Sequence, residues 1–352
     1  MGSSNDHLRE AMCVTGSTGY IGSWLVHSLL QKGYLVHATM RDIDKARQVL
    51  SNFEGNSQLK IFKADLNEEG SFDEAVKGCV GVFHVAASME LSTDANQIIE
   101  ESVKSRILEP AVRGTTNLLQ SCSKAGCVKR VIFTSSISTI TAKNDLGEWI
   151  AEVDESCVTP ADLIWRKKPS GWVYVLSKLV TDEKAFQFAK EKGIDLVSII
   201  PPTVAGPFLT PDVPTSIQVL LSPITGGADR LALMPKKKIL DAVNARLGSI
   251  SLVHIEDICN AHIFLMEKVA AEGRYICSAS TCAMSQLAEI LSLEYSSCCH
   301  KRIVEDYYCE KIPSIICSKR LTSLGFKFRY GLTDIIKQTV ISCSERKVLK
   351  PL

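Results

Sequence analysis

The sequence has almost no net charge, no long apolar run and no C-x-x-C cysteine pair. Its 40 Lys and Arg residues nearly balance 39 Asp and Glu residues, so the net charge is +1. This balance gives no electrostatic reason to expect nucleic acid or a charged membrane as a partner. Apolar runs such as residues 263–266 are far too short to cross a bilayer, and residues 1–10 lack the apolar core of a signal peptide. We therefore expect a soluble, cytoplasmic protein without membrane insertion.

Cysteine is plentiful, yet its pattern is not that of a disulfide framework or a metal site. The 13 cysteines are odd in number and include no C-x-x-C spacing, and the seven histidines include no H-E-x-x-H. Without a signal peptide, a chain of this length is not expected to depend on disulfides. Cys298, Cys299 and His300 are adjacent and would suit a metal, but scattered thiols in a reducing cytosol explain them more simply. We predict no metal.

Strand-like and helix-like patterns alternate over the first 200 residues. Short apolar runs predict strands, and apolar residues at 3.6-residue spacing predict helices. The predicted strands cover residues 12–15, 34–40, 59–64, 80–86, 130–134 and 195–200, and the predicted helices cover residues 23–31, 109–125 and 175–192. Such alternation predicts an α/β fold, a Rossmann-type doubly wound parallel sheet.

A glycine motif follows the first predicted strand and opens the first predicted helix. It reads Gly16-Ser-Thr-Gly19-Tyr-Ile-Gly22, a GxxGxxG spacing. Gly16 permits a tight turn, Gly19 lets the backbone approach a pyrophosphate, and Gly22 lets the helix pack closely on the strand. The helix N-terminus offers amide donors to the phosphates. The motif predicts a dinucleotide site, although a glycine-rich turn without a ligand would share part of the pattern.

The end of the second predicted strand indicates which dinucleotide binds. NAD sites usually carry Asp or Glu there to hold the ribose hydroxyls. This sequence has Arg41, with Lys45 and Arg47 close behind, and a guanidinium suits a 2′-phosphate. Asp42 could compete for the hydroxyls, and a solvated charged turn would have the same composition. We predict NADP(H) as cofactor, with Asp65 after the third strand meeting the adenine.

A tyrosine and a lysine share one face of a predicted helix. In Tyr174-Val-Leu-Ser-Lys178 the two residues are four apart, so the ammonium favours the phenolate and makes the tyrosine a useful proton donor. Thr134-Ser135-Ser136 ends the fifth strand at the carboxyl edge of the sheet, where ligands bind in such folds. These hydroxyls would hold a substrate oxygen, unless they only cap the strand.

The regular alternation of strand and helix patterns ends after residue 200. Prolines crowd residues 201–223 and predict a loop region that interrupts the regular pattern. We predict that residues 1–200 form the NADP(H)-binding Rossmann domain, with a return segment near residues 250–280. Residues 201–352 are predicted to form mainly a smaller substrate-binding lobe.

Taken in order, these motifs resemble the extended short-chain dehydrogenase/reductases over approximately residues 11–345. Several segments are similar to plant flavonoid reductases, the group that includes dihydroflavonol 4-reductase, anthocyanidin reductase and vestitone reductase. Those segments are Thr39-Met-Arg-Asp42, Phe83-His-Val-Ala86, Phe133-Thr-Ser-Ser136, Gly171-Trp-Val-Tyr174, Gly206-Pro-Phe208 and Gly273-Arg-Tyr-Ile-Cys277. Residues 248–254 are most similar to anthocyanidin reductase.

The resemblance implies NADPH-dependent reduction of a small phenolic substrate by a monomer or weak homodimer. Tyr174 would donate the proton, Lys178 would tune Tyr174 and bind the nicotinamide ribose, and Ser136 would hold the substrate oxygen. The expected cofactor-binding residues are Gly16, Thr18, Gly19, Tyr20, Ile21, Gly22, Arg41, Lys45, Asp65, Leu66, Val85, Ala86, Ala87, Tyr174, Lys178, Pro201 and Thr203. The expected substrate-binding residues are Met89, Ser136, Thr141, Phe208 and Ile217.

The sequence departs from this group at four places in or near the expected pocket. Gly22 matches dihydroflavonol reductases, whereas anthocyanidin reductases usually have alanine. Residues 87–89 replace the usual Thr-Pro, and Pro202 replaces a threonine. Thr141 stands, as in anthocyanidin reductases, where dihydroflavonol reductases carry an asparagine that binds the substrate B-ring. Another plant metabolite such as an alkaloid is therefore an alternative substrate.

Two further classes share parts of the pattern. Sugar-nucleotide epimerases have the same glycine, serine, tyrosine and lysine framework, but Arg41 argues against their tightly bound NAD. An NADP-sensing or scaffold protein without catalysis would not need Ser136, Tyr174 and Lys178 together. An NADPH-dependent reductase is the interpretation that accounts for every motif.

Overall fold

A parallel sheet of seven strands lies at the centre of the computed structural model, which describes residues 10–87, 100–225, 236–294 and 312–349. The strand order is β10-β7-β5-β4-β1-β2-β3. The strands of the described residues are β1 (Ala11–Thr15), β2 (Leu35–Met40), β3 (Leu59–Lys63), β4 (Cys79–His84), β5 (Arg130–Thr134), β6 (Glu152–Val153), β7 (Asp195–Ile200), β8 (Thr203–Ala205), β9 (Ile250–His254), β10 (Gly273–Ile276), β11 (Ser280–Cys282) and β12 (Ile315–Ile316).

Helices cover both faces of this sheet and build the rest of the molecule. They are α1 (Tyr20–Gln31), α2 (Ile43–Val49), α3 (Asp73–Val76), α4 (Glu100–Val103), α5 (Glu109–Ala125), α6 (Ala161–Lys167), α7 (Trp172–Lys192), α8 (Thr215–Thr225), α9 (Lys236–Leu247), α10 (Ile255–Glu267), α11 (Met284–Glu294), α12 (Lys319–Ser323) and α13 (Leu332–Glu345). None of them is long and apolar enough to span a membrane within the described ranges. The predicted fold class is confirmed, and each predicted strand and helix is present with ends that differ by at most three residues.

The order of the strands locates the ligand crevice. From β1 the chain adds β2 and β3 on one side, whereas β4, β5, β7 and β10 lie on the other side. In open α/β sheets the crevice lies beyond the carboxyl ends of the strands, at the point where the order reverses. Here that point lies between β1 and β4, so the glycine motif after β1 and the segment after β4 face each other.

Two apolar layers sandwich the sheet. Helices α1, α2 and α10 pack on one face through residues such as Trp24, Leu29 and Ile258, and helices α3, α5 and α7 pack on the other through residues such as Leu118 and Ala185. Parallel strands covered on both faces read as continuous apolar runs, which explains why the strands were visible in the sequence.

A second core belongs to the C-terminal part of the chain. Helices α8, α9, α11 and α13 enclose it together with the small sheet β11-β9-β8. The expectation of a loop region throughout residues 201–223 is wrong, because α8 runs through Pro223. Proline lacks the amide that would bond the carbonyl four residues back. The Ser222 hydroxyl donates to that Val219 carbonyl at 2.7 Å instead, so the helix continues.

The chain returns to the central sheet after building this second core. Strand β10 pairs in parallel with β7, as Gly273 faces Val197 and Ile276 faces Ile200. Arg130, at the start of β5, donates to the carbonyls of Leu265 and Ala271 at 2.8 and 3.1 Å and thereby holds the end of α10. The predicted return segment thus has a counterpart in β10, while the boundaries of the two domains stay a prediction.

Candidate active site

The glycine motif forms a tight turn between β1 and α1. Gly16 has a φ of +67°, in the left-handed region that favours glycine. A Cβ at Gly16 would lie 3.0 Å from Ala86 Cα, and one at Gly22 would lie 2.2 Å from the Gly16 carbonyl oxygen. Helix α1 begins without a side-chain cap and without an acidic residue in its first turn. This end of the helix is therefore suited to a phosphate group.

The end of β2 presents Arg41 rather than Asp42. The Asp42 carboxylate caps α2 by accepting from the amides of Asp44 and Lys45 at 2.9 and 3.2 Å. These two bonds hold Oδ1 of that carboxylate at the start of α2. Arg47 pairs with Asp44 at 3.0 Å, whereas Arg41 is exposed and forms no ion pair with any residue that the structure describes.

Asp65 and Leu66 follow β3 at the same edge of the sheet. Asp65 Oδ1 accepts from the Asn67 amide at 2.9 Å, and the Asn117 side chain donates to the Leu66 carbonyl at 2.8 Å. Gly114 of α5 leaves room for Leu66, because a Cβ at Gly114 would lie 2.8 Å from Leu66 Cβ. Asp65 and Leu66 are thus held both by α5 and by the turn that follows β3.

A buried chain of hydrogen bonds fixes the segment after β4. Thr15 Oγ1 accepts from the amides of Val85 and Ala86 at 3.1 and 3.0 Å. Its own proton is therefore left for His84 Nδ1, 3.1 Å away, and His84 Nε2 donates to Thr115 Oγ1 at 3.1 Å. Burial and then the charge of Lys178 lower the pKa of His84 to about 3, so the imidazole is neutral. Sequence analysis did not single out this network, although His84 lies in one of the family-like segments.

Ser136, Tyr174 and Lys178 come together at the carboxyl ends of β5 and β7. Tyr174 lies in the first turn of α7, and its hydroxyl donates to Ser136 Oγ at 3.2 Å. The Ser138 amide also donates to Ser136 Oγ, at 3.2 Å, and Lys178 Nζ lies 3.5 Å from the Thr134 carbonyl. A small cleft beside them is lined by Ala86, Ala87, Thr115, Tyr174, Ser177 and Lys178. The segment held by His84 therefore faces the tyrosine–lysine pair.

A buried ion pair supports the loop that carries the serine, residues 136–139, which we call the serine loop. Arg274 Nη2 lies 3.2 Å from Asp182 Oδ2 and donates to Thr139 Oγ1 at 2.7 Å. Asp182 lies one helical turn beyond Lys178. Burial raises the pKa of Asp182, and the Arg274 guanidinium opposes that rise. Neither Arg274 nor Asp182 was among the predicted site residues.

The remaining predicted residues have different surroundings. Thr141 is partly exposed just beyond the serine loop, and the Pro201 carbonyl accepts from the Ile137 amide at 2.9 Å. Phe208 and Ile217 are 2% and 0% exposed within the second core, so in this conformation they offer a ligand almost no surface. Met89 and the Cys298-Cys299-His300 cluster lie outside the described residues. Substrate contact by Thr141, Phe208 and Ile217 stays a prediction.

Comparison with known proteins identifies the family. The NAD dependent epimerase/dehydratase family matches residues 12–277. A candidate anthocyanidin reductase of Ginkgo biloba is 41% identical over 333 residues, which are 94% of this chain and 93% of that protein. A dihydroflavonol 4-reductase of Callistephus chinensis is 37% identical over 342 residues, 96% of this chain and 87% of that protein. Vestitone reductase from alfalfa has a TM-score of 0.75 at 30% identity, covering 96% of this chain and 99% of its own.

The fold and the site are those of a nicotinamide-dependent oxidoreductase. The chain belongs to the NAD dependent epimerase/dehydratase family. Its similarity to plant flavonoid reductases, expected from the sequence segments, is confirmed over nearly its full length. The prediction of an NADP(H)-dependent enzyme of this class is thereby confirmed as well.

Proposed function

We propose that this chain catalyses NADPH-dependent reduction of a flavonoid-type phenolic compound. The relatives that support this proposal are named as reductases of anthocyanidins, dihydroflavonols and vestitone. The observation that carries it is the contact between Tyr174 and Ser136 at 3.2 Å, beside the cleft that Ala86 and Ala87 line after β4. Two hydroxyls at that spacing can both hydrogen-bond one substrate oxygen.

The residues present fit NADPH. The Gly16 turn and the uncapped start of α1 would hold the pyrophosphate, and Arg41 would pair with the 2′-phosphate. Asp65 lies where the adenine would reach the end of β3. When bound, the reduced nicotinamide would supply the hydride for the electrophilic carbon of the substrate.

The protein itself would position the substrate and supply a proton. Ser136 would donate to the substrate oxygen, and Tyr174 would give its proton to the negative charge that develops there. Lys178, one turn further along α7, would stabilise the phenolate left behind and bind the nicotinamide ribose. The Val85–Ala87 segment, held by Thr15, would close the nicotinamide side of the cleft.

Replacing Tyr174 by phenylalanine tests this assignment. Only a hydroxyl is removed, so the variant should fold and bind NADPH, while kcat should fall about 100-fold or more, the usual scale for a lost general acid. The measurement is steady-state NADPH oxidation with a dihydroflavonol and an anthocyanidin, together with a fluorescence titration of NADPH.

Tyr330→Phe is the matched control. The Tyr330 hydroxyl donates to Glu256 at 2.6 Å, outside the candidate site, so this variant should keep normal turnover. Near-normal turnover by Tyr174→Phe would mean that the proton comes from another group. The predicted cytoplasmic location and the monomeric or weakly dimeric state stay predictions.

A further inference from the structure

The last turn of α9 brings an arginine from the second core to the serine loop. Arg246 Nη1 donates to the Ser138 carbonyl at 3.0 Å, across 108 positions of sequence. Ser138 is also the residue whose amide donates to Ser136 Oγ, and Ser136 contacts the Tyr174 hydroxyl. Arg246 is therefore connected to the reacting hydroxyls through a single residue.

Two arginines thus hold the serine loop, and they differ in one respect. Arg274 is neutralised by Asp182 at 3.2 Å. Arg246 forms no ion pair within the described part of the chain, where it donates a hydrogen bond to the Ser138 carbonyl. A guanidinium carries five N–H donors, so one hydrogen bond leaves most of its donors available.

The surroundings of Arg246 make an unpaired charge costly. Its side chain is partly buried, and burial lowers the pKa of Arg246 to about 10. A cation that is buried without an opposite charge is destabilised, and binding of an anion beside it stabilises it. This stabilisation is largest for a planar anionic oxygen group, because a guanidinium can bind such a group with two hydrogen bonds.

We propose that Arg246 binds an anionic oxygen group of the substrate, a carboxylate or an ionised phenol, while the electrophilic carbon lies beside Tyr174. The inference rests on the proposed function and deepens it by naming the substrate class as an anionic phenolic compound. Arg246 would thereby be a specificity residue contributed by the C-terminal part of the chain.

Binding of matched ligands to the enzyme–NADP⁺ complex tests this proposal by calorimetry. One pair is caffeate and its neutral methyl ester, and the other is ionised 4-nitrocatechol and its neutral dimethyl ether, so the two pairs distinguish carboxylate from phenolate. The wild-type protein should bind at least one anion roughly tenfold or more tightly than its neutral partner, the scale of a charge-assisted hydrogen bond. Arg246→Gln should bring that ratio close to one and leave the affinities for NADP⁺ and the neutral ligands unchanged.

Two further variants sharpen the test. Arg246→Lys keeps the charge but loses the planar fork, so it should show an intermediate ratio. Arg166→Gln removes an exposed arginine from the last turn of α6 and should keep the wild-type ratio.

Three results would overturn the proposal. They are equal binding of anionic and neutral ligands by the wild-type protein, an unchanged ratio in Arg246→Gln, and an equal loss for both kinds of ligand in that variant. The equal loss would mean that the guanidinium acts only through the serine loop. NADPH oxidation with flavonoids, measured in parallel, separates the two hypotheses, because absent turnover with an intact preference for anions would refute the proposed reaction alone.

Discussion

Replacing Thr15 by valine should destabilise the protein and weaken NADPH binding together. Thr15 Oγ1 is the shared partner of three groups: the Val85 amide, the Ala86 amide and His84 Nδ1, all within 3.0–3.1 Å. Valine has nearly the same volume, so the substitution removes hydrogen bonds without creating a cavity. It acts on the segment that lies against Gly16, where the dinucleotide would bind.

The size of the effect follows from the burial of the three groups. A buried polar group left without a partner costs about 1–3 kcal/mol. Thr15 and His84 are 0% and 1% exposed, whereas Val85 and Ala86 are half-buried, so water can reach part of the segment. We therefore expect each of the three groups to cost about 1 kcal/mol, the lower end of that range. The free energy of unfolding should then fall by about 3 kcal/mol.

Thr15→Ser is the matched control, because it keeps the hydroxyl and removes only a methyl group. It should cost about 1 kcal/mol from lost burial and leave the Kd for NADPH near the wild-type value. Urea unfolding and a fluorescence titration of NADPH measure the two quantities. Thr15 does not hold this segment if Thr15→Val is as stable as Thr15→Ser, or if the two variants bind NADPH with the same Kd.

Two further predictions concern the cofactor and pH. Arg41→Ala should reduce the preference for NADPH over NADH by about tenfold or more, measured by titration with both cofactors, and an unchanged preference would place the 2′-phosphate elsewhere. Burial lowers the pKa of His84 to about 3 and of His262 to about 4, from 6.5, so between about pH 6.5 and 4 the unfolded chain binds more protons and stability falls with falling pH. Each histidine should contribute about 1.4 kcal/mol per pH unit in that window, and His262→Gln should remove that share of the slope in urea unfolding at several pH values. An unchanged slope would mean that His262 is charged in the folded protein.

The features that sequence analysis found are local ones. Most strands of the central sheet are short, largely apolar runs, and the glycine turn and the Tyr174–Lys178 pair each lie within a few residues of sequence. The sheet topology then follows from the general rules for alternating strands and helices. For these reasons the fold class, and the gathering of Ser136 with Tyr174, could be anticipated before any coordinates were available.

The features that it missed depend on contacts between distant parts of the chain. Arg246 reaches Ser138 across 108 positions, and Arg274 reaches Asp182 from another element, so no spacing rule reveals them. Helix α8 was missed for a different reason. Pro223 removes one backbone hydrogen bond of the helix, and such a loss usually ends a helix. Here the Ser222 hydroxyl donates to the carbonyl that Pro223 leaves without its usual partner.

The pairing of β10 with β7 has a consequence for synthesis on the ribosome. Strand β7 is complete at Ile200, but its outer neighbour β10 begins only at Gly273. At about 5–20 residues per second, several seconds of translation separate the two strands. Throughout that time β7 is an unpaired edge rich in isoleucine and valine, the kind of surface that invites association with other chains. Truncation of the chain before residue 273 would make that exposure permanent, so aggregation of such fragments is the expected result.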